Sequence, residues 1–185
     1  MDGNQLKQLE AQLWTAADQL RANSKLNATE YSFPVLGLIF LRHAYSRYVK
    51  AKVEIEAKLP VHPQRGRQAI SKDHFLQAKA IFLPPEAQWS HIASLPDSAD
   101  IGEVLDEAMR SIENEYEVLQ GVLPKNYSIF EKALLQKLVR IFHTELLDQV
   151  EGDVFGRIYE YFLNKFAMSG ASEGGEFFTP PSLVN

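Results

Sequence analysis

The sequence predicts an all-α fold, a compact helical bundle domain, and three observations carry that expectation. Apolar residues recur at spacings of three and four over five separate stretches, which places them on single faces of helices. No apolar–polar alternation persists long enough to build a sheet. The 185 residues are 45% hydrophobic and include no cysteine, so the core is an ordinary apolar one, and a disulfide framework, thiolate metal sites and cysteine nucleophiles are excluded.

The elements follow in chain order. Leu6, Leu9, Leu13, Trp14, Ala17 and Leu20 form the stripe of a first helix, and the polar link "RANSKLNATE" ends it. From about Thr29 the stretch "EYSFPVLGLIFLRHAYSRYVKAKVEIEAK" is apolar on almost every side and then increasingly basic. That pattern predicts a helix with a buried first half and a second half carrying Tyr45, Arg47, Tyr48 and Lys52 toward solvent or a partner. Pro34 is tolerated if it falls in the first turn and kinks the helix if it does not. The prolines and glycine of "LPVHPQRGRQAISKD" make a loop. Ser71 caps a short helix through Ala80, and "IFLPPEAQWSHIAS" turns at Pro84-Pro85 into another. Asp100 with Glu103 reads as a capping box for a helix with Ile101, Val104, Leu105, Ala108, Met109, Ile112, Tyr116 and Leu119 on its stripe, ended by Gly121. Ser128 and Glu131 repeat the signal before "ALLQKLVRIFHTEL", and Asp153 caps a last helix through Phe166.

The net charge of -5 conceals an uneven distribution. Leu41 to Lys72 holds eight basic residues against two acidic ones, a local net of +6, whereas Asp97 to Val118 holds eight acidic residues against Arg110 alone. A basic segment in an acidic protein is a candidate phosphate-contacting patch, because Lys and Arg displace counterions from nucleic acid. Two solvated faces are the plain alternative.

No catalytic or metal centre is legible upstream of Gly174. The five histidines form no i, i+4 pair and no H-E-x-x-H arrangement. Glu103, Asp106 and Glu107 lie opposite an apolar stripe and read as a solvated face. The longest apolar run, "FPVLGLIFL", is too short to span a bilayer, and "MDGNQLKQLE" lacks the regions of a signal peptide. A cytoplasmic protein without a membrane partner is the expectation.

The final stretch, "GGEFFTPPSLVN", reads as an opening rather than a close. Two glycines release the backbone, Thr179 suits an N-cap and Pro180 the first helical position. The expectation is the front portion of a longer protein, with a helical domain over 1–169 and the first stretch of another over 170–185.

Together, "LWTAADQLRAN", "EYSFPVLGLIFLR", "IGEVLDEAMRSIE", "GVLPKNYS" and "GDVFGRIYEYFLNKFA", followed by "GGEFFTPPSLV", resemble the N-terminal portion of the modification (methyltransferase) subunit of type I restriction-modification systems. The resemblance covers essentially the whole chain. It implies a full-length adenine-specific DNA methyltransferase that moves a methyl group from S-adenosylmethionine to the exocyclic amine of adenine. It also implies a specificity subunit and a second modification subunit as partners, with a restriction subunit as a candidate third, and double-stranded DNA as substrate. "GEFFTP" matches the family's first cofactor-binding stretch, at the start of a Rossmann-like methyltransferase domain. Glu176, Phe177, Phe178, Thr179, Pro180 and Pro181 are the positions carried over, with loop packing as the plain alternative for the phenylalanine pair. The family's glycine turn and its Asn-Pro-Pro-aromatic motif do not occur in these residues. Base extrusion needs such a pocket, so this chain alone is expected to be inactive and to bind no cofactor. For the helical domain the resemblance implies subunit assembly and DNA clamping, and the basic stretch supplies Arg42, Arg47, Lys50, Lys52, Arg65 and Arg67 as candidate phosphate contacts. A helical scaffold or protein-interaction module without DNA contact is the alternative.

Overall fold

The computed structural model describes residues 3–22, 26–59, 61–62, 66–67, 70–144, 147, 156–158, 160–162 and 164–165. The named helices are α1 (Gly3–Ala22), α2 (Ala28–Lys58), α3 (Lys72–Gln77), α4 (Trp89–Ala93), α5 (Ile101–Glu115) and α6 (Lys132–Phe142). Single 3-10 turns occupy Pro85–Ala87, Glu117–Leu119 and Tyr127–Ile129, and the described residues between 156 and 165 are helical. The all-α expectation holds. The one addition is a two-residue antiparallel pairing of β1 (Val61–His62) with β2 (Gly66–Arg67), inside the segment expected to be loop.

Each helix buries the face its sequence marks. In α1, Leu6, Leu9, Leu13 and Ala17 are buried, and Trp14 and Leu20 pack against them. The Tyr31 hydroxyl of α2 donates to the Ala17 carbonyl at 3.0 Å, tying the first two helices together. Asn27 begins α2 with a reciprocal cap: its side chain accepts from Glu30 N–H at 2.8 Å, and the Glu30 carboxylate accepts from Asn27 N–H at 3.1 Å. Pro34 lies inside α2 beyond the first turn, and the helix runs through it to Lys58. A proline there withholds one ladder donor, a loss set against the burial of Tyr31, Val35, Leu38, Ile39 and Leu41 around it.

The core closes through two glycines and one tyrosine. Tyr127 is fully buried and its hydroxyl donates to the Pro34 carbonyl at 2.6 Å, joining the turn before α6 to α2. A Cβ on Gly37 would collide with the Tyr127 hydroxyl and the Pro124 ring, and one on Gly102 would lie 2.8 Å from Ser128 Cα. Both positions need glycine for close backbone approach rather than for conformation. Burial pushes the Tyr127 hydroxyl well above the ordinary tyrosine range, so it remains the donor this contact requires. Phe162 lies 5.5 Å from Trp14 and 6.0 Å from Phe142, ring centroid to ring centroid, which brings the last helical residues onto α1 and α6.

Several local expectations are corrected. α5 ends at Glu115 rather than Gly121, and Tyr116 leaves the helix so that its hydroxyl can accept from Phe82 N–H at 2.6 Å. Only half of the Asp100–Glu103 box forms: Asp100 accepts from Glu103 N–H at 3.3 Å, while the Glu103 carboxylate turns to Arg110. α6 is preceded by Glu131, with Ser128 already spent in the Tyr127–Ile129 turn. Asp153 lies outside the described residues.

Candidate nucleic-acid interface

Of the expected phosphate contacts, Lys50 and Lys52 are exposed on the second half of α2, where the periodicity places them. Arg42 is elsewhere. It is 2% exposed, and its guanidinium donates to the Phe142 carbonyl at 3.0 Å, the Ser46 hydroxyl at 2.8 Å and the Thr144 carbonyl at 3.2 Å. The plane also lies 6.0 Å from the Trp89 ring. The physical reason is its place on α2, on the side facing α6. The carbonyls at a helix C-terminus carry partial negative charge and attract a cation. An interior Arg42 is therefore a correction to its reading as a surface contact.

Arg47 is half-buried, and its Nε and Nη2 both donate to the Lys79 carbonyl, at 3.1 and 2.8 Å. Arg65 lies outside the described residues. Arg67 belongs to β2, its backbone paired with Val61. Tyr48, expected to emerge from the surface, is buried: it stacks on Phe75 at 5.0 Å and its hydroxyl accepts from Gln88 Nε2 at 3.2 Å. Phe75 of α3 and Phe82 cover this side of α2, which a reading of α2 in isolation leaves open. Glu176, Phe177, Phe178, Thr179, Pro180 and Pro181 lie outside the described residues.

The acidic stretch divides in the same way. Glu107 and Arg110 pair on the surface of α5 at 3.0 Å, with Glu103 at 3.1 Å from the same guanidinium. Asp106, expected on that solvated face, is instead 2% exposed and accepts from the N–H groups of Tyr127 and Ser128 at 2.7 and 3.3 Å. Glu113 is also buried, holding Lys125 at 2.7 Å and accepting from Leu123 N–H at 3.1 Å. These carboxylates staple the Val122–Ile129 segment to α5. No group of three metal-ligating side chains occurs among the described residues, and no described helix is long and apolar enough to cross a membrane.

Sequence reasoning missed Lys79. It is a non-glycine residue at φ 60°, in the left-handed region that L side chains enter at a steric cost. The available signal was an abrupt end to α3 in "LQAKAIF" with no glycine to supply the closing turn.

The geometry defines an all-α domain with exposed lysines on the second half of α2, Lys50 and Lys52, and at the end of α3, Lys79, among other surface cations. Residues 9–142 match the HsdM N-terminal domain family and residues 150–185 match the N-6 DNA Methylase family. The chain belongs to the HsdM N-terminal domain family, the N-terminal region of type I restriction-modification methylase subunits. It is 35% identical to the type I restriction enzyme MjaIX methylase subunit of Methanocaldococcus jannaschii, over 96% of this chain and 34% of that protein. It is 27% identical to the HindI methylase subunit of Haemophilus influenzae, over 56% of this chain and 28% of that one. With the MpnII methylase subunit of Mycoplasma pneumoniae it shares 23%, over 95% of this chain and 38% of the relative. The chain thus spans about a third of the length of the relatives it matches.

Proposed function

We propose that this chain is the helical portion of a subunit that methylates the exocyclic N6 amine of adenine in DNA. The observation that carries this is the succession of the two family matches, helical domain and then methylase, along one chain. In the full-length subunit S-adenosylmethionine would supply the methyl group. Glu176, Phe177, Phe178, Thr179, Pro180 and Pro181 are the positions we propose for the first stretch of the cofactor site. We take the helical unit as 1–169, and the burial of Ile158 and Phe162 in the same core as Leu13 and Phe142 supports its continuing beyond α6.

The helical domain serves subunit assembly and DNA clamping, with a specificity subunit and a second modification subunit as its partners. Lys50 and Lys52 are its exposed phosphate contacts on α2, joined by Arg65 and Arg67. Contacts of this kind hold a duplex in register without reading its sequence. The test is duplex affinity of the chain as salt is raised. Two or three contacts give a slope of roughly -2 to -3 in log affinity against log salt, and replacing Lys50, Lys52, Arg65 and Arg67 with alanine flattens it. A flat response in the unmodified chain and in its complex with the specificity subunit would end the clamp reading.

A second reading, a protein-interaction module without DNA contact, draws on the interior positions of Arg42 and Tyr48, which remove two residues from the candidate patch. Under it, the same alanine variants weaken capture of the specificity subunit and leave DNA affinity unchanged.

A further inference from the structure

A cavity of about 600 Å³ opens between the end of α2 and α3. Lys58, Lys79, His74 and Gln77 line it, together with Glu54 and Ile55. The geometry points to this cavity as a phosphate-binding site, with the ammonium groups of Lys58 and Lys79 and the imidazole of His74 as its donors.

Lys79 carries the argument furthest. The end of α3 is closed by Lys79 N–H on the Leu76 carbonyl at 3.0 Å and Ala80 N–H on the Phe75 carbonyl at 2.9 Å. This is the two-bond closure that normally uses glycine at the left-handed position. A lysine stands there, and the Arg47 fork grips its carbonyl from α2. Strain kept in place by neighbouring structure is a pointer to function, and here it sets a lysine on the rim of a cavity. His74 contributes a fixed tautomer. Its Nδ1 accepts from Ser71 N–H at 2.9 Å, so in the neutral ring the proton resides on Nε2, a ready donor.

The opposing charges are part of the site. The carbonyl ends of α2 and α3 and the Glu54 carboxylate all disfavour an anion. The carbonyl ends are largely occupied: Leu59 N–H closes on Ile55 at 3.0 Å, and Arg47 covers Lys79. That leaves two lysines against one carboxylate, enough for a single phosphate and not for a run of them. Glu54 therefore limits affinity, and its removal is a gain-of-function test.

The phosphate comes either from a nucleic-acid backbone, which rests on the clamp reading above, or from a free phosphate, which does not. The 185-residue chain is titrated with labelled duplex between about 50 and 200 mM salt and, separately, with inorganic phosphate while the His74 ring resonances are followed by NMR. Lys58→Ala combined with Lys79→Gly is expected to flatten the salt slope by roughly 0.9, the share of one phosphate, and Glu54→Gln to tighten binding by about two- to fivefold. Lys79→Gly should also raise Tm by about 1–4 °C, because it relieves the left-handed backbone. Lost binding alongside gained stability separates a ligand contact from a structural residue. If duplex fails to bind but inorganic phosphate shifts His74, the site takes a free phosphate, and the clamp reading falls once the complex with the specificity subunit fails to bind as well. Duplex binding unchanged by both variants, with His74 unmoved by phosphate, overturns the site and leaves Lys50 and Lys52 as the DNA contacts.

Discussion

Replacing Arg42 with alanine separates the interior reading of this residue from the surface one most sharply. The guanidinium serves the Phe142 carbonyl, the Thr144 carbonyl and the Ser46 hydroxyl at 3.0, 3.2 and 2.8 Å, in a site 2% open to solvent. Hydrogen bonds from a charged donor contribute about 1.5–3 kcal/mol, and each carbonyl left buried without a donor costs about 1–3 kcal/mol. The lost side chain also leaves a cavity beside Trp89. These effects overlap, so an expected loss of about 3–5 kcal/mol is in keeping with broken buried polar networks. For a chain of this length each kcal/mol moves Tm by about 2–4 °C, so the variant should melt roughly 6–20 °C lower. Arg42→Lys should fall between the two, since it keeps the charge and loses the planar fork. The assay is a circular-dichroism melt, supported by urea titration with an unchanged m value. Lys50→Ala and Lys52→Ala serve as controls expected to stay within about 0.5 kcal/mol of the unmodified chain. An Arg42→Ala chain that melts with the parent but loses DNA affinity would refute the interior assignment.

Gly37→Ala should gain up to about 1 kcal/mol of helix propensity and lose about 1–3 kcal/mol to overpacking, because the new methyl meets the Tyr127 hydroxyl and Pro124. Net destabilisation in a thermal melt checks it, and a stabilised variant would show that this contact is slack. His43 is held down at about 4 by burial, with Arg47 and Lys50 adding to the effect, whereas an unfolded histidine titrates near about 6.5. The folded chain therefore binds fewer protons than the unfolded chain in that window, and stability should fall as pH drops from about 6.5 to 4, by at most about 1.4 kcal/mol per pH unit. His43→Gln should flatten that part of the curve, and identical pH profiles would contradict the assignment. Titration calorimetry of this chain with S-adenosylmethionine should give weak or no binding, because the glycine turn and the Asn-Pro-Pro-aromatic motif do not occur in its residues. A micromolar constant would refute this.

Helix identity and the buried faces were legible because the cause is local. Leu6, Leu9, Leu13 and Ala17, and again Leu105, Ala108, Met109 and Ile112, follow the 3.6-residue period that a helix imposes on any face meeting a core. The family, too, was legible from the order of short blocks along the chain. Tertiary structure alone decided what the charged and aromatic residues do. Arg42, Tyr48, Asp106 and Glu113 are polar residues that periodicity sends outward or leaves undecided. Each is interior because a partner distant in sequence supplies the missing hydrogen bond or covers the exposed ring: α6 for Arg42, Phe75 and Gln88 for Tyr48, and the Val122–Ser128 segment for the two carboxylates. Burying a charge without such a partner would cost several kcal/mol, and where that partner lies is a property of the packed chain. Lys79 is the same case for the backbone, a left-handed residue gripped by an arginine 32 positions earlier.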